Sequence, residues 1–487
     1  MPSKPPPMRN LAFGELAAAD EAVNDRNMVI RGYLDFKEAA YHISTGKTWY
    51  LLGSKGAGKS SVFEHLRLKW EGSHNQFFVG LDLKNFPVAD VSNIQTGQSV
   101  GSSMRIQSAW EFVLLLKLIE SINRDNGKEF NSAFDNMCRE FERAGLISPD
   151  LNRKVTKWAS TGFDLEFNFG FLKAVVGRKE RVQIMDLLAV IYDILKNVST
   201  TSRHVVAVDG LDSFFLEADD NNGSLAGLIH AIENVNRTVH SESRRTNVIA
   251  AVRTELFENI ESTDSNKLKS RCIYLDWSAS GFDATNDLWA LVDKKIQVDN
   301  PEVKSVVATY LSTDIGQGPY NTVPEYLLSN TRLLPRDLIA LMKEVQKEHP
   351  GSAQATESAV VQAVRKYSEQ YFVGEILNNL HGILKKTPDR PKIVRSFMAG
   401  LSSLDNAVFS LHGLQREIDH GVSESDTILL LEQLYEIGAI GNRIENADGY
   451  ARTNFKFRRS NSITINVRRP MMLHNALIVA WNLRRSG

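Results

Sequence analysis

Short apolar runs bounded by polar residues alternate along the chain with stretches whose apolar positions recur every three or four residues. The runs lie at 48–52, 77–83, 205–208, 248–252 and 272–275. Continuous rather than alternating apolarity predicts strands buried on both faces, the condition of strands in a parallel sheet. Helical spacing shows in Val62, Phe63, Leu66 and Trp70, and again over 110–122 and 184–195. Strands that alternate with helices in this way predict an α/β layer, a parallel sheet flanked by helices.

The same pattern divides the chain. Residues 1–12 read as a flexible, proline-stiffened leader. Residues 13–280 read as the sheet domain, opening on a helical stretch to about residue 40 and carrying an insertion at about 88–197, whose polar, aromatic middle (163–171) fits no element. Residues 281–390 read as a helical lid, all-helical from 283 to 372. In 391–487 helical spacing covers 407–418 and 425–437, the second ending at Gly438 as a helix C-terminus does. Short strands are expected at 439–444, 450–457 and 463–467. Helices followed by a β-ribbon predict a winged helix.

Composition narrows the class. Hydrophobic residues make up 43% of the 487-residue chain and charged residues 24%, as in ordinary globular proteins. Lys plus Arg (57) against Asp plus Glu (58) leave a formal net charge of -1. That balance excludes a wholly basic nucleic-acid coat and an acidic solvating tail, while allowing a local patch. Cys138 and Cys272 are the only cysteines, too few for a disulfide framework or a cysteine-based zinc site. No apolar run reaches the roughly 18–20 residues of a membrane span. The Pro-rich start lacks a signal core, so a cytoplasmic protein is expected.

Gly53-Ser54-Lys55-Gly56-Ala57-Gly58-Lys59-Ser60 satisfies G-x-x-x-x-G-K-[ST], with a predicted strand before it and a helix, from Ser60 and Ser61 onward, after it. Glycines let the backbone wrap an anion and turn its N–H groups inward, where side chains would clash. The following helix presents its positive end to the same anion. Lys59 is placed to reach the β- and γ-phosphates, and the Ser60 hydroxyl to ligate Mg²⁺. Holding that metal takes an acid at the end of a neighbouring strand. Val205-Val206-Ala207-Val208-Asp209 supplies one, with Gly210 next and Asp212 beyond. Asp209 is the magnesium-side candidate. Asp212 is either the group that polarises the attacking water or an N-cap for the following helix.

Other polar residues stand at strand ends. Arg253 and Thr254 follow the run 248–252, where a cation or hydroxyl would lie beside the γ-phosphate; the other reading of Arg253 is the start of a surface helix. Lys267, Lys269 and Arg271 precede 272–275. Arg271 is a candidate to reach a neighbouring subunit's site, against a solvated basic turn. Arg336, in Pro335-Arg336-Asp337-Leu338, opens a helix and opposes its dipole. It is read either as a nucleotide contact or as an ion-pair partner of Asp337 or Glu344. His412 and His474 lie on apolar helical stretches and are expected as packed core histidines.

With these residues in place the chain resembles the AAA+/STAND division of P-loop ATPases, and within it bacterial ATPases encoded in antiphage or conflict-system loci. The resemblance rests on Phe13, Gly14 and Ala18, the GxxGxGKS loop, Asp209-Gly210-Leu211-Asp212, Arg253-Thr254 with Leu256 and Phe257, and Pro335-Arg336-Asp337-Leu338. It implies ATP and Mg²⁺ as ligands and a homo-oligomer. NACHT-type relatives carry a further distal acid. Ser213 and Phe214 stand there instead, which implies slow hydrolysis and a switch. The chain shows no receptor repeat array and no nuclease, TIR-like or protease motif.

Two functions follow as expectations. The first is an ATP-driven conformational switch, cycling between ATP and ADP and serving a partner effector protein in bacterial antiviral defence, with no membrane partner. The second is a DNA-associated ATPase resembling origin-recognition proteins. Arg452, Lys456, Arg458, Arg459, Arg468, Arg469, Arg484 and Arg485 crowd the tail, and no acidic residue follows Asp448. Against groove reading, the helix expected at 425–437 carries Asp426, Glu432 and Glu436 and no Lys or Arg. GTP is disfavoured because Asn266-Lys267-Leu268-Lys269 lacks the aspartate that would read guanine. A small-molecule kinase is disfavoured by the appended lid and winged helix.

Overall fold

The structure is a computed structural model that describes residues 4–93, 102–147, 153, 155, 156, 183–211, 221–241, 244–258, 260, 265–380, 389–418, 421–445, 451–458 and 464–485. The chain divides into two compact units, one of Met1–Leu34, Gly56–Gly58 and Asp276–Gly487, the other of Asp35–Lys55 and Lys59–Leu275.

The second unit is α/β. Its strands are β1 (Tyr50–Leu52), β2 (Gln76–Asp82), β3 (Thr200–Asp209), β4 (Arg244–Val252) and β5 (Cys272–Tyr274). They form one five-stranded sheet in the order β2-β3-β4-β1-β5, every pairing parallel. All five overlap the expected runs, and β3 and β4 begin further back, in polar residues. Val205–Val208 and Val248–Val252 are buried without interruption, as a sheet covered on both faces requires.

Registers fix which residues share an edge. Asp82 lies opposite Asp209, Val208 opposite Ala250, and Leu52 opposite both Val252 and Tyr274. Gly53, Asp82, Asp209 and Arg253 therefore stand at the carboxyl edge. Ligands of open α/β sheets bind at that edge.

The Ser102–Asn123 and Asn221–Val239 helices pack on each other, the first against β2 and β3 and the second against β4. Trp110, Phe112, Val113, Leu114, Leu115, Leu116, Leu118 and Ile119 are all buried. A helix apolar on every side belongs to the interior. Ser102–Asn123, which falls within the insertion expected at 88–197, is thus part of the layer that covers the sheet. The stretch 163–171 lies outside the described residues.

A buried polar cluster braces the middle of β3. His204 and Asp125 are fully buried. Ser121 Oγ lies 2.9 Å from His204 Nδ1, and His204 Nε2 lies 3.4 Å from an Asp125 carboxylate oxygen. Asp125 accepts from Thr200 Oγ1 at 2.5 Å and from the Gly127 N–H at 2.8 Å. The imidazole stacks on Phe77, centroids 5.0 Å apart. Burial pushes the imidazole down to about 4, although the Asp125 carboxylate opposes that shift.

In the first unit, residues 8–13, expected within or beside a flexible leader, are held in place. Met8, Leu11 and Phe13 are buried, and the Met8 N–H donates to Gly351 O at 2.7 Å. The apolar side chains of this leader supply burial that its prolines do not. The segment expected to be all-helical is interrupted by an antiparallel hairpin, β6 (Asp314–Gln317) and β7 (Tyr320–Thr322). Its turn contains Gly318 at φ +59°.

Towards the C-terminus, helices Arg390–Ser402, Leu411–Glu417 and Glu424–Glu436 accompany a four-stranded antiparallel sheet of order β10-β9-β11-β8. Its strands are β8 (Val408–Phe409), β9 (Ile440–Glu445), β10 (Ala451–Phe455) and β11 (Met471–Leu473). Two expectations are corrected. The helix at 407–418 starts only after β8, capped by Ser410. The third ribbon strand is Met471–Leu473 rather than 463–467. Met471 and Leu473 are buried against β9, whereas the Asn466 N–H turns aside to Asn442 Oδ1 at 2.8 Å.

The His204 network sets a pH dependence. Between about pH 4 and 6.5 the unfolded chain binds the imidazole proton and the folded chain does not, so stability falls as pH falls through that window. The depressed imidazole accounts for about 3 kcal/mol of that loss. Denaturant titrations from pH 7 to pH 4 are expected to show it, and His204→Gln to flatten the slope. An unchanged slope in the variant would contradict the assignment.

Candidate phosphate site

The chain turns from β1 into the Lys59–Trp70 helix through Gly53–Gly58. Gly56 and Gly58 take φ of +93° and +97°, a region that residues with a Cβ rarely enter. A Cβ on Gly56 would also stand 3.3 Å from Arg336 Cβ.

The loop's carbonyls have identifiable partners. Lys59 Nζ donates to Gly53 O at 2.7 Å and to Ser54 O at 3.1 Å. The Arg336 N–H reaches Gly56 O at 3.4 Å, and the Trp277 indole N–H donates to Ala57 O at 3.0 Å. By contrast, the N–H groups of Gly56, Ala57 and Gly58 have no partner among the described residues. With Lys59 buried at 7% exposure and Ser60 exposed at the helix start, the turn offers unpaired donors, a cation and a hydroxyl. That donor set fits a polyphosphate with its divalent metal.

Asp209 ends β3, and its Oδ1 accepts from the Gly210 N–H at 2.8 Å. Gly210 has φ +82°, and a Cβ there would lie 2.4 Å from Asp82 Oδ1 and 2.9 Å from the Lys84 nitrogen. No other residue fits after Asp209 without moving the end of β2. Asp209 was expected on a strand neighbouring β1. In the sheet β4 intervenes between β1 and β3, and it is β4 that delivers Arg253.

Arg253 is 15% exposed in its side chain and lies 3.8 Å from Glu255. Asp212 lies outside the described residues. Asp82, in register with Asp209, was not anticipated. Its position next to Asp209 depends on strand pairing, which spacing along the chain does not reveal.

Arg271 precedes β5 and so stands at the amino edge, opposite to the loop. Its guanidinium lies 4.7 Å from the Trp49 ring centroid, and its carbonyl accepts from the Trp49 and Tyr50 N–H groups. Lys267 and Lys269 are exposed.

Arg336 does not pair with Asp337 or Glu344. Its Nε donates to Leu16 O at 3.0 Å. Asp337 is taken instead by Arg332, through Nε at 2.8 Å, Nη2 at 2.7 Å and the backbone N–H at 3.1 Å. Both partners are buried. Burial alone would raise the Asp337 carboxyl, but the Arg332 guanidinium and its hydrogen bonds hold it below the usual range. Glu344 pairs with Lys347.

Phe13 and Gly14 also gain a physical reason. Gly14 has φ +83°, and a Cβ there would meet Glu21 Oε1 at 2.0 Å. That carboxylate is held by Lys295 at 2.6 Å and by the Glu15 N–H at 3.0 Å. His474 is buried, its Nδ1 capping Ala476 N–H and its ring stacked on Phe372. His412, expected in the core, is exposed and contacts Arg416. Leu414 and Ile418 occupy the inward side of that turn.

No family model matches the chain, and no curated protein matches it. Among solved structures it is similar to the Aeropyrum pernix ORC2 protein in ADPNP–ADP complexes (12% identity, 94% of this chain and 97% of the other, TM-score 0.37). It is also similar to Cdc6p from Pyrobaculum aerophilum (12%, 92% and 94%, TM-score 0.32). A third likeness is to the Thermotoga maritima RuvB Holliday junction branch migration motor (13%, 92% and 95%, TM-score 0.28). Superpositions this loose say nothing about the ligands of this chain.

The Arg332–Asp337 pair fixes the start of the helix that carries Arg336. Asp337→Asn leaves a buried guanidinium without its counter-charge and is expected to cost about 3–5 kcal/mol of stability in denaturant unfolding. A loss below 1 kcal/mol would show that the pair does not hold this segment.

Proposed function

We propose that this chain is an ATP-binding, ATP-hydrolysing conformational switch. The observation that carries the reading is the set of unpaired N–H groups at Gly56, Ala57 and Gly58, flanked by Lys59 and Ser60 at the sheet edge that also bears Asp209. The loop amides and Lys59 bind the phosphates. Ser60 and Asp209 are the residues that would hold Mg²⁺, which when bound neutralises charge developing on the transferred phosphoryl group. Asp212 orients the attacking water. Arg253, one strand from the loop, and Arg336, against Gly56, read whether the terminal phosphate is present.

Arg271, exposed at the far edge of the sheet, acts on this reading in trans within a homo-oligomer. Output passes, on this reading, to a separate effector protein. On this reading the partner acts in bacterial antiviral defence, as the sequence resemblance implies.

Lys59→Ala is expected to abolish ATP binding in calorimetric titrations. Asp209→Asn is expected to retain binding while turnover falls by about 10²–10³-fold. Size-exclusion profiles with ATP are expected to show a larger assembly for wild type than for Lys59→Ala. Wild-type turnover in both variants, with identical assembly, would refute the switch.

A second reading, attachment to duplex DNA through a winged helix, is favoured by the exposure of Arg452, Arg468, Arg469 and Arg484. Some of the basic tail is already engaged: Lys456 pairs with Glu436 at 3.4 Å and Arg485 lies over Tyr320. Under this reading, duplex binding at 50 mM salt weakens steeply by 200 mM, roughly 10³-fold for some six phosphate contacts. Replacing Arg452, Arg468 and Arg469 with Ser lowers the salt slope. No binding at low salt removes the reading.

A further inference from the structure

We propose that Trp277 is a positioning residue for the phosphate loop, its indole N–H holding the Ala57 peptide so that the Gly58 N–H faces the bound phosphates. The inference rests on the phosphate-site reading above and deepens it.

A trans peptide is planar, with its C=O and N–H pointing in opposite directions. Ala57 C=O and Gly58 N–H belong to one such group, so whatever anchors the carbonyl aims the amide. Trp277 Nε1 donates to Ala57 O at 3.0 Å. Ala57 is 1% exposed and Trp277 4% exposed, so water does not compete for the bond. The amide on the opposite side of the plane has no partner among the described residues, and a Cβ built on Gly58 meets nothing within 4 Å. The anchored side is closed and the amide side is open.

Glycines on both sides of Ala57, each at positive φ, leave the peptide planes little intrinsic preference. An external anchor therefore has something to decide. Indole is suited to the task because it is a donor only and cannot invert the polarity of the contact.

Trp277 is itself fixed. Asn286 Nδ2 donates to the Trp277 carbonyl at 3.3 Å and to Gly281 O at 2.6 Å, while Asn286 Oδ1 caps the Asp287–Ile296 helix through the Leu288 N–H. The Arg336 N–H, at 3.4 Å from Gly56 O, acts in the same sense on the preceding plane. As a main-chain donor it is not removed by substitution, whereas Trp277 can be tested.

Amides of such a loop cradle the phosphates common to ADP and ATP. Removing the anchor should weaken both nucleotides alike and raise KM without a matching fall in kcat. The experiment uses the full-length chain with Mg-ADP and Mg-ATP. Trp277→Phe keeps an aromatic ring and loses the donor. A second variant places benzothiophene where the indole is, preserving shape and replacing only the N–H. Both are expected to bind ADP and ATP about five- to tenfold more weakly, with kcat within about twofold of wild type.

Wild-type affinity in the benzothiophene variant overturns the proposal, as does a loss confined to kcat. If wild type binds neither nucleotide, or Lys59→Ala binds as wild type does, the phosphate-site reading falls and this inference falls with it. If wild type binds, Lys59→Ala does not, and the benzothiophene variant matches wild type, only the role of Trp277 is lost.

Discussion

A peptide group cannot turn its N–H toward an anion without turning its C=O away from it, and a loop that aims several amides inward must find partners for the carbonyls it aims out. Between β1 and the Lys59–Trp70 helix those partners are present. Gly53 O and Ser54 O are taken by Lys59, Gly56 O by the Arg336 N–H, and Ala57 O by Trp277. Positive φ at Gly56 and Gly58 makes the arrangement sterically attainable. The glycines permit the conformation and the carbonyl partners select it.

The sheet supplies the second requirement, that an acid and a cation stand at the same edge as the loop. Parallel strands deliver all their carboxyl ends to one side, and the registers place Asp209 level with Asp82 and Leu52, just before the loop, level with Val252, just before Arg253. Local sterics then restrict the sequence. Gly210 is required because Asp82 and the Lys84 amide occupy the space of a Cβ. Behind this edge, the buried Ser121–His204–Asp125–Thr200 network ties β3 to the helix layer. The strand that carries Asp209 is fixed by hydrogen bonds far from the chemistry.

The sheet was legible because β1 and the carboxyl-terminal halves of β3 and β4 are apolar without interruption, a pattern that follows from two-sided burial. The glycine turn between β1 and the Lys59–Trp70 helix was legible because its positive-φ positions demand glycine at fixed spacing. What stayed hidden depends on contacts between distant segments. Nothing in the spacing of Trp277 or Asp82 marks them. Arg332 pairs with Asp337 across five positions and a positive-φ Leu333, so no helical periodicity announces it, and Arg336 was given the partner that Arg332 holds. The strand order also escaped, since β4 separates β1 from β3 although it follows both in sequence. In the tail, alternation at 463–467 resembled a strand, while the strand that forms, Met471–Leu473, is too short to stand out. The helical periodicity around His412 gave the right element and the wrong side.

The central proposal is that the loop amides bind a triphosphate whose metal Ser60 and Asp209 would hold. An experimental structure of the chain with Mg²⁺ and a non-hydrolysable ATP analogue tests it most directly. The account predicts phosphate oxygens within about 2.7–3.2 Å of the Ala57 and Gly58 nitrogens, the Trp277–Ala57 bond retained, and the metal between Ser60 and Asp209. Triphosphate density elsewhere on the chain, or a loop whose Ala57 carbonyl has turned inward, would contradict it.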